Sequence, residues 1–343
     1  MNVLIVGGLS HLGTNFILSY KEHFNKIVVI DKVSYCSQST EIIEPLVYKC
    51  IWLDANKVDL ETVIVFHDIK LVLNLAASTH VDRSYTHFSD FSNDNINLVT
   101  HLMKTIKNLR ELEYDIKLIH LSTDEVYGDN YEDSDCMNRK ETDCLSPTNP
   151  YSATKAAGDM LINSYCYSYN LWKQIIVLRP NNLSGPFQYP DKIVPLFYDK
   201  IKNDKIVRIH GNGKQKRCFV STALVCDIIY TLIKNRYQWP SNIKNVFYNV
   251  GYNCQTGVSV MDIFKIIKSL VSPDTQAKYI FSEDRPYNDK IYRVCNKKIA
   301  NLLSSFKLDH RNINNVLQKL NCNSTDAIKH SISQIQYLCL AEQ

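Results

Sequence analysis

Short, nearly unbroken apolar runs alternate with segments of helical period through the first half of the chain. The runs are NVLIVG (2–7), KIVVID (26–31), YKCIWLD (48–54), KLVLNLAA (70–77), KLIHLS (117–122) and QIIVLRP (174–180). Runs that are β-branched and apolar on both sides of the pleat are those of parallel strands covered on both faces. Between them, Leu12 to Phe24, Val99 to Leu112 and Ser152 to Tyr169 repeat apolar residues at helical spacing. The alternation predicts an α/β fold, a Rossmann-type doubly wound parallel sheet with right-handed crossovers. After Pro180 the pattern changes. The stretch NNLSGPFQYPDKIVP is rich in turn residues, and the chain then predicts a helix at 222–234, a strand at 246–251, a helix at 260–271 and a polar end. Residues 1–180 therefore read as a dinucleotide-binding Rossmann domain. Residues 181–343 read mainly as a smaller C-terminal substrate-binding lobe, with elements around 219–251 returning to the sheet.

Composition removes several function classes. The 343 residues are 45% apolar and 22% charged, ordinary for a soluble α/β chain. The net charge of +4 is spread along the sequence, and its densest cluster, Lys214 to Arg217, suits one small phosphorylated ligand rather than a nucleic acid. Eleven cysteines form no CxxC pair, and His80 has no companion at metal-ligand spacing, so no metal is expected. Free thiols, no apolar run of membrane length and no charged leader point to a cytoplasmic protein without a membrane partner.

Two places carry chemistry. Gly7-Gly8-Leu9-Ser10-His11-Leu12-Gly13 lies between the first strand and the first helix, where a glycine turn brings a pyrophosphate to a helix N-terminus. A plain strand-to-helix turn would look similar, but Asp31 ends the second strand where an acid meets the adenosine ribose hydroxyls. That acid repels a 2′-phosphate, so NAD is expected rather than NADP. Ser10 stands at the middle glycine position; serine is small, its hydroxyl could donate to phosphate, and binding is expected to survive.

The second place is Ser122-Thr123-Asp124-Glu125-Val126-Tyr127-Gly128, at the carboxyl end of the 117–122 run, followed by Tyr151 and, one helical turn on, Lys155. Asp-Glu alone reads as a solvated turn. At a strand end in an open α/β sheet it reads as a site, because adjacent buried carboxylates need partners. The acidic stretch Asp129 to Pro147 beside it is a candidate lid.

These segments resemble, in order, the extended short-chain dehydrogenase/reductases, and within them the nucleotide-sugar 4,6-dehydratases acting on dTDP-glucose or UDP-glucose. The matching stretches are DKVSY (31–35), LAASTHVDRS (75–84), STDEVYG (122–128), PTNPYSATK (147–155), RPNNLSGPFQYPDKIVP (179–195), GNGKQKR (211–217), YNVG (248–251) and DRPYND (284–289). The resemblance implies that Tyr151 and Lys155 are the YxxxK pair. It gives Thr123 a hydrogen bond to the sugar O4, Glu125 the role of C5 base and Asp124 that of acid for the leaving C6 hydroxyl. It implies cofactor contacts from Gly7, Ser10, His11, Leu12, Gly13, Asp31, Lys32, Ser34, Asp54, Ala55, Leu75, Ala76, Ala77, Tyr151 and Lys155. Substrate contacts would come from His80, Thr123, Asn182, Lys192, Ile193, Arg208, His210, Arg217, Asn249, Asp284 and Arg285. A homodimer through the helices at 99–112 and 152–169 is implied as well. Leu183-Ser184, Cys218 and Leu224 depart from the family pattern in the nucleotide half of the pocket. An NAD-dependent epimerase or decarboxylase on nucleotide sugars shares most of these features, as would a non-catalytic NAD-binding module. The adjacent Asp124 and Glu125 separate the dehydratase from both, since elimination needs an acid and a base together.

Overall fold

The structure, a computed structural model, describes residues 1–130, 138–240, 244–253, 256–271, 277–284, 287–307 and 310–341. Seven parallel strands form the central sheet: β1 (Asn2–Val6), β2 (Lys26–Asp31), β3 (Lys49–Trp52), β4 (Leu71–Asn74), β5 (Lys117–Leu121), β6 (Ile175–Pro180) and β7 (Phe247–Val250). Their order is β7-β6-β5-β4-β1-β2-β3. The winding reverses between β4 and β1, which pair in register as Val3↔Leu71 to Val6↔Asn74. That switch point opens a crevice at the strands' carboxyl ends.

Alternate residues of each strand face opposite layers. Val3 and Ile5 join a core with α1 (His11–Tyr20) and the later helices, whereas Leu4 and Val6 join one with α2 (Leu60–Phe66), α3 (Leu98–Glu111) and α4 (Pro150–Tyr169). Helix α4 starts on a full capping box: Asn149 accepts from the Ser152 amide, and Ser152 Oγ accepts from the Asn149 amide. Pro150 sits at the first helical position, where its missing N–H costs nothing. The helix that carries Tyr151 and Lys155 is thus fixed at its first turn.

Beyond β6 the chain forms α5 (Ile193–Lys202), α6 (Thr222–Lys234) and α7 (Val260–Val271), with short paired strands between them. Residues 182–184 pair with 219–221, 207–210 with 279–282, and 216–217 with 258–259. The expected polar end is instead three helices, α8 (Lys297–Ser305), α9 (His310–Lys319) and α10 (Ser324–Ala341). Each buries a single stripe, for example Ile299, Leu302 and Leu303 on α8 and Ile313, Val316 and Leu320 along α9 and just past it. Charged and amide residues around narrow stripes lowered the average hydropathy and concealed the period.

The candidate lid is tied down at both described flanks. Asn130 N donates to Ile291 O, Arg139 N to Arg293 O and Cys295 N to Arg139 O, while Asp129 Oδ1 accepts from the amides of Lys290 and Ile291. Its middle, 131–137, lies outside the described residues.

Candidate active site

Gly7 turns out of β1 with φ +85°, and a Cβ there would lie 2.5 Å from the Ala76 amide nitrogen. A Cβ on Gly13 would meet the Gly7 carbonyl oxygen at 2.4 Å. The loop, the start of α1 and Leu75-Ala76-Ala77 therefore close on one another as only glycine permits. Ser10 caps the helix. Its Oγ accepts from the Gly13 amide (3.1 Å) and donates to the Gly7 carbonyl (2.6 Å), so its one proton is spent capping α1 rather than offered to a phosphate. Asp31 accepts from the amides of Leu9 (3.0 Å) and Val33 (2.9 Å). Burial pushes its pKa up, and those donors oppose the shift. A glycine loop, a helix N-terminus and a strand-end carboxylate fit a dinucleotide whose adenosine ribose is unphosphorylated.

The other expected cofactor residues surround this frame. Lys32 Nζ is held by both oxygens of Asp94, each at 2.7 Å. Ser34 Oγ lies 3.4 Å from Ser37 Oγ, which itself reaches Asp31. Asp54 caps the turn Ala55–Lys57 by accepting from the Asn56 amide, and Ala55 is buried beneath it. Leu12 belongs to the core. His11 Nε2 is 3.1 Å from Thr222 Oγ1 at the start of α6, and burial followed by the charge of Lys192 pushes its pKa down to about 4. It is a neutral bridge between two helices.

The carboxylate pair sits on a short 3₁₀ turn, Asp124–Tyr127, just past β5. Thr123 caps the turn, its Oγ1 accepting from the Glu125 amide at 3.3 Å. Asp124 is 2% exposed. Its Oδ2 accepts from Asn181 Nδ2 at 2.6 Å and its Oδ1 from Thr123 Oγ1 at 3.3 Å. Burial, then the neighbouring Glu125, push the Asp124 pKa up to about 7, against the Asn181 and Thr123 bonds and the charge of Arg217. Glu125 is raised too, first by burial, with Asn149, Arg217 and Lys192 pulling it back. Asn149 Nδ2 donates to Glu125 Oε2 at 3.1 Å. Two adjacent carboxyls thus receive different partners, the arrangement that keeps one acid protonated beside an ionised one.

Tyr151 and Lys155 face this turn from α4, and both are buried. Lys155 Nζ donates to the Leu121 carbonyl at 2.7 Å, and burial pushes its pKa down to about 8. Burial and then Glu125 raise the Tyr151 phenol, and Thr123 opposes the shift. The expected easing of the phenol by Lys155 is not among the strongest influences here, since the ammonium is turned to Leu121.

The predicted substrate residues divide. The charges of Arg217 and Lys192 lower the Glu125 pKa, and Lys192 Nζ donates to the Thr79 carbonyl at 3.3 Å. Arg217 is anchored by Nη1 to the Asp289 carbonyl (2.8 Å) and by Nη2 to Asn288 (2.9 Å). Ile193 opens α5 beside Lys192, and Asn182 lies on the strand 182–184. His80 Nε2 pairs with Asp191 at 2.7 Å, just before Lys192. Arg208 and His210 are exposed on the strand 207–210, near Asp284, which holds Gln215 and Asn288. Arg285 lies outside the described residues. Asn249 is a correction: it is fully buried, with Oδ1 taking the Tyr127 hydroxyl (2.8 Å) and Nδ2 spent on the Arg139 carbonyl (2.9 Å). It supports the turn instead of presenting its amide to a ligand.

Sequence reasoning missed several supports. Asn149 holds Glu125, and Asn181 holds Asp124. Behind them Ser122 Oγ and Arg179 Nε both donate to Asp159, and Arg179 Nη1 reaches the Tyr127 hydroxyl. The cap residue before Pro150-Tyr151 was a readable signal for Asn149; no local pattern pairs Asn181 with a residue 57 positions earlier.

Residues 3–251 match the NAD dependent epimerase/dehydratase family. The chain belongs to that family. It is 32% identical over 311 residues to a trifunctional UDP-glucose 4,6-dehydratase/UDP-4-keto-6-deoxy-D-glucose 3,5-epimerase/UDP-4-keto-L-rhamnose-reductase of Arabidopsis thaliana, matching 88% of this chain. The chain spans 44% of that relative's length. To dTDP-D-glucose 4,6-dehydratase of Dictyostelium discoideum it is 32% identical, with 88% of this chain and 76% of that protein covered. The crystal structure of dTDP-glucose 4,6-dehydratase from Bacillus anthracis in complex with NAD superposes with a TM-score of 0.75, covering 98% of this chain and 99% of that one at 23% identity. Likeness at that identity speaks to the fold of this family member and not to its substrate. Among the described residues no helix is long and apolar enough to cross a membrane, and no cluster of His, Cys, Asp and Glu is arranged to hold a metal.

Proposed function

We propose that this chain is an NAD-dependent 4,6-dehydratase of nucleotide-linked glucose, taking dTDP-glucose or UDP-glucose to the 4-keto-6-deoxy sugar and water. The observation that carries the reading is Asp124, a fully enclosed acid whose pKa is raised to about 7 beside Glu125, with Asn181 on one and Asn149 on the other. An epimerase has no use for that pair. Relatives named as 4,6-dehydratases support the same assignment.

The Gly7–Gly13 loop and Asp31 would hold NAD, which would supply a hydride acceptor for C4 and a hydride donor for C6. Tyr151, as phenolate, takes the O4 proton, and Thr123 aligns O4 with it. Lys155 has two ammonium protons beyond the one on Leu121 for the cofactor ribose and the phenol oxygen. Once C4 is a ketone, the C5 proton is acidic, and ionised Glu125 removes it. Protonated Asp124 gives its proton to the departing C6 hydroxyl. Arg217 and Lys192 hold the anionic end of the substrate and keep Glu125 ionised.

Cys166 and Cys226 are buried thiols outside any disulfide, in keeping with a reducing cytoplasmic setting. Met160 and Tyr167, exposed on α4, suit a homodimer through α3 and α4. The test is incubation of the NAD-loaded protein with dTDP-glucose and UDP-glucose in parallel, with products identified by NMR. A 4-keto-6-deoxy sugar from either supports the reading; a C4 epimer, or no turnover with NAD bound, rejects it.

A further inference from the structure

On the dehydratase reading, on which this inference rests, Arg217 holds the anionic end of the substrate and Glu125 is the C5 base. The two are bedded on segments far apart in the chain. Arg217 lies on residues 288–292: its Nη1 donates to the Asp289 carbonyl at 2.8 Å and its Nη2 to Asn288 Oδ1 at 2.9 Å. Its guanidinium carbon is 5.3 Å from the centre of the Tyr292 ring. Glu125 and its turn lie on residues 146–149. The Ser146 amide donates to the Val126 carbonyl at 3.0 Å, and Gly128 leaves no room for a Cβ against the Ser146 carbonyl. Asn149 Nδ2 donates to Glu125 Oε2 at 3.1 Å.

Asp289 fastens the two segments to each other. It is 4% exposed, a costly place for a carboxylate without donors. Thr148 Oγ1 lies 2.7 Å from its Oδ1 and 2.8 Å from its Oδ2, and the Tyr292 hydroxyl donates to Oδ2. One residue therefore offers its carbonyl to Arg217 and its carboxylate to Thr148, the neighbour of Asn149. The path from guanidinium to base runs Arg217 to Asp289, Asp289 to Thr148, one peptide bond to Asn149, and Asn149 to Glu125. Asp129 Oδ1 anchors the 288–292 segment a second time, accepting from the amides of Lys290 and Ile291 at 3.0 and 3.1 Å.

We propose that Asp289 and Thr148 are positioning residues that tie Arg217 to Glu125, so that seating the anionic end of the substrate aligns the base with C5. Binding energy from the non-reacting nucleotide is then used at the reacting carbon. Tyr151 is held separately, by the reciprocal cap between Asn149 and Ser152 at the start of α4. Oxidation at C4 therefore lies off the path, and removal of the C5 proton lies on it.

The test is single-turnover kinetics at saturating dTDP-glucose or UDP-glucose, with the C5-deuterated sugars in parallel. It compares NAD-loaded wild type, Thr148→Val, Thr148→Ser, Asp289→Asn, Arg217→Gln and the combined Thr148→Val/Arg217→Gln protein. Thr148→Val keeps the side chain's shape and loses its hydroxyl. Reduced nicotinamide should form near the wild-type rate and then persist, while product appears about 10–10²-fold more slowly and the C5 isotope effect grows. Asp289→Asn, which keeps the carbonyl for Arg217, should move the same quantities by less, and Thr148→Ser should restore them. The combined protein should be no slower at the C5 step than Arg217→Gln alone, because both changes cut one path. Oxidation and elimination slowed equally in Thr148→Val, an unchanged isotope effect, or two effects that multiply would overturn the tie. Failure of wild type to dehydrate either sugar would reject the functional reading itself.

Discussion

Around the Gly7–Gly13 loop the polar contacts link β1, β2 and the helix between them: Ser10 to Gly7 and Gly13, Asp31 to Leu9 and Val33. Around Asp124 and Glu125 the partners arrive from far along the chain, as Asn149, Asn181, Arg217 and Asp289. The first region is shaped chiefly by backbone, and what it requires is the absence of side chains. The second is shaped by side chains whose charges and hydrogen bonds set one another's proton affinities. Cofactor binding should therefore fail through steric change, and catalysis through electrostatic change. The two failures should be separable in one molecule.

The largest separation is expected from Glu125→Gln, which removes a base without altering volume. Turnover should drop by about 10²–10⁴-fold, and solvent deuterium should no longer enter C5, while NAD binding measured by calorimetry stays at the wild-type level. Gly13→Ala probes the other side. Its Cβ would sit 2.4 Å from the Gly7 oxygen, so NAD affinity should fall and the fold should lose about 1–3 kcal/mol in denaturant titrations. Retained NAD affinity in Gly13→Ala, or lost affinity in Glu125→Gln, would break the comparison.

The pH profile sharpens it. Asp124 must be protonated, so kcat should fall as pH rises through about 7, with a further fall near 8 as Lys155 loses its charge. For stability the sign follows from the raised Asp124 pKa. The fold binds this proton more tightly than the unfolded chain, so the contribution is complete below the ordinary 3.8 and is lost as pH climbs through about 7. Asp124→Asn should flatten that part of the stability curve in melts across the same range. The smallest effect is expected from Ser10→Ala, which should cost about 0.5–2 kcal/mol for the lost cap and shift NAD affinity little, because its hydroxyl serves Gly7 and Gly13.

The same contrast explains what could be read in advance. The strands, the glycine turn, Asp31 and the Tyr151/Lys155 spacing are local patterns, and local patterns survive in one dimension. The helices α8 to α10 did not read clearly because their stripes are narrow and flanked by amides and charges. Asn249 sat in a matched segment, yet its depth depends on Tyr127 and Arg139, more than a hundred residues away in sequence. Asn181 escaped notice because its role exists only once β6 is laid beside β5. The hydroxyl of Ser10 serves the turn itself, donating to the Gly7 carbonyl and accepting from the Gly13 amide, which spacing alone does not show.

The central claim is that Asp124 is the acid for water loss and takes no part in oxidation at C4. Single-turnover absorbance of the reduced nicotinamide in Asp124→Asn tests it most directly. Reduced cofactor should accumulate in step with a 4-keto hexose that keeps its C6 hydroxyl, and dehydrated product should lag by about 10²-fold or more. Dehydration at the wild-type rate, or loss of the reduced-cofactor signal together with dehydration, would contradict the assignment.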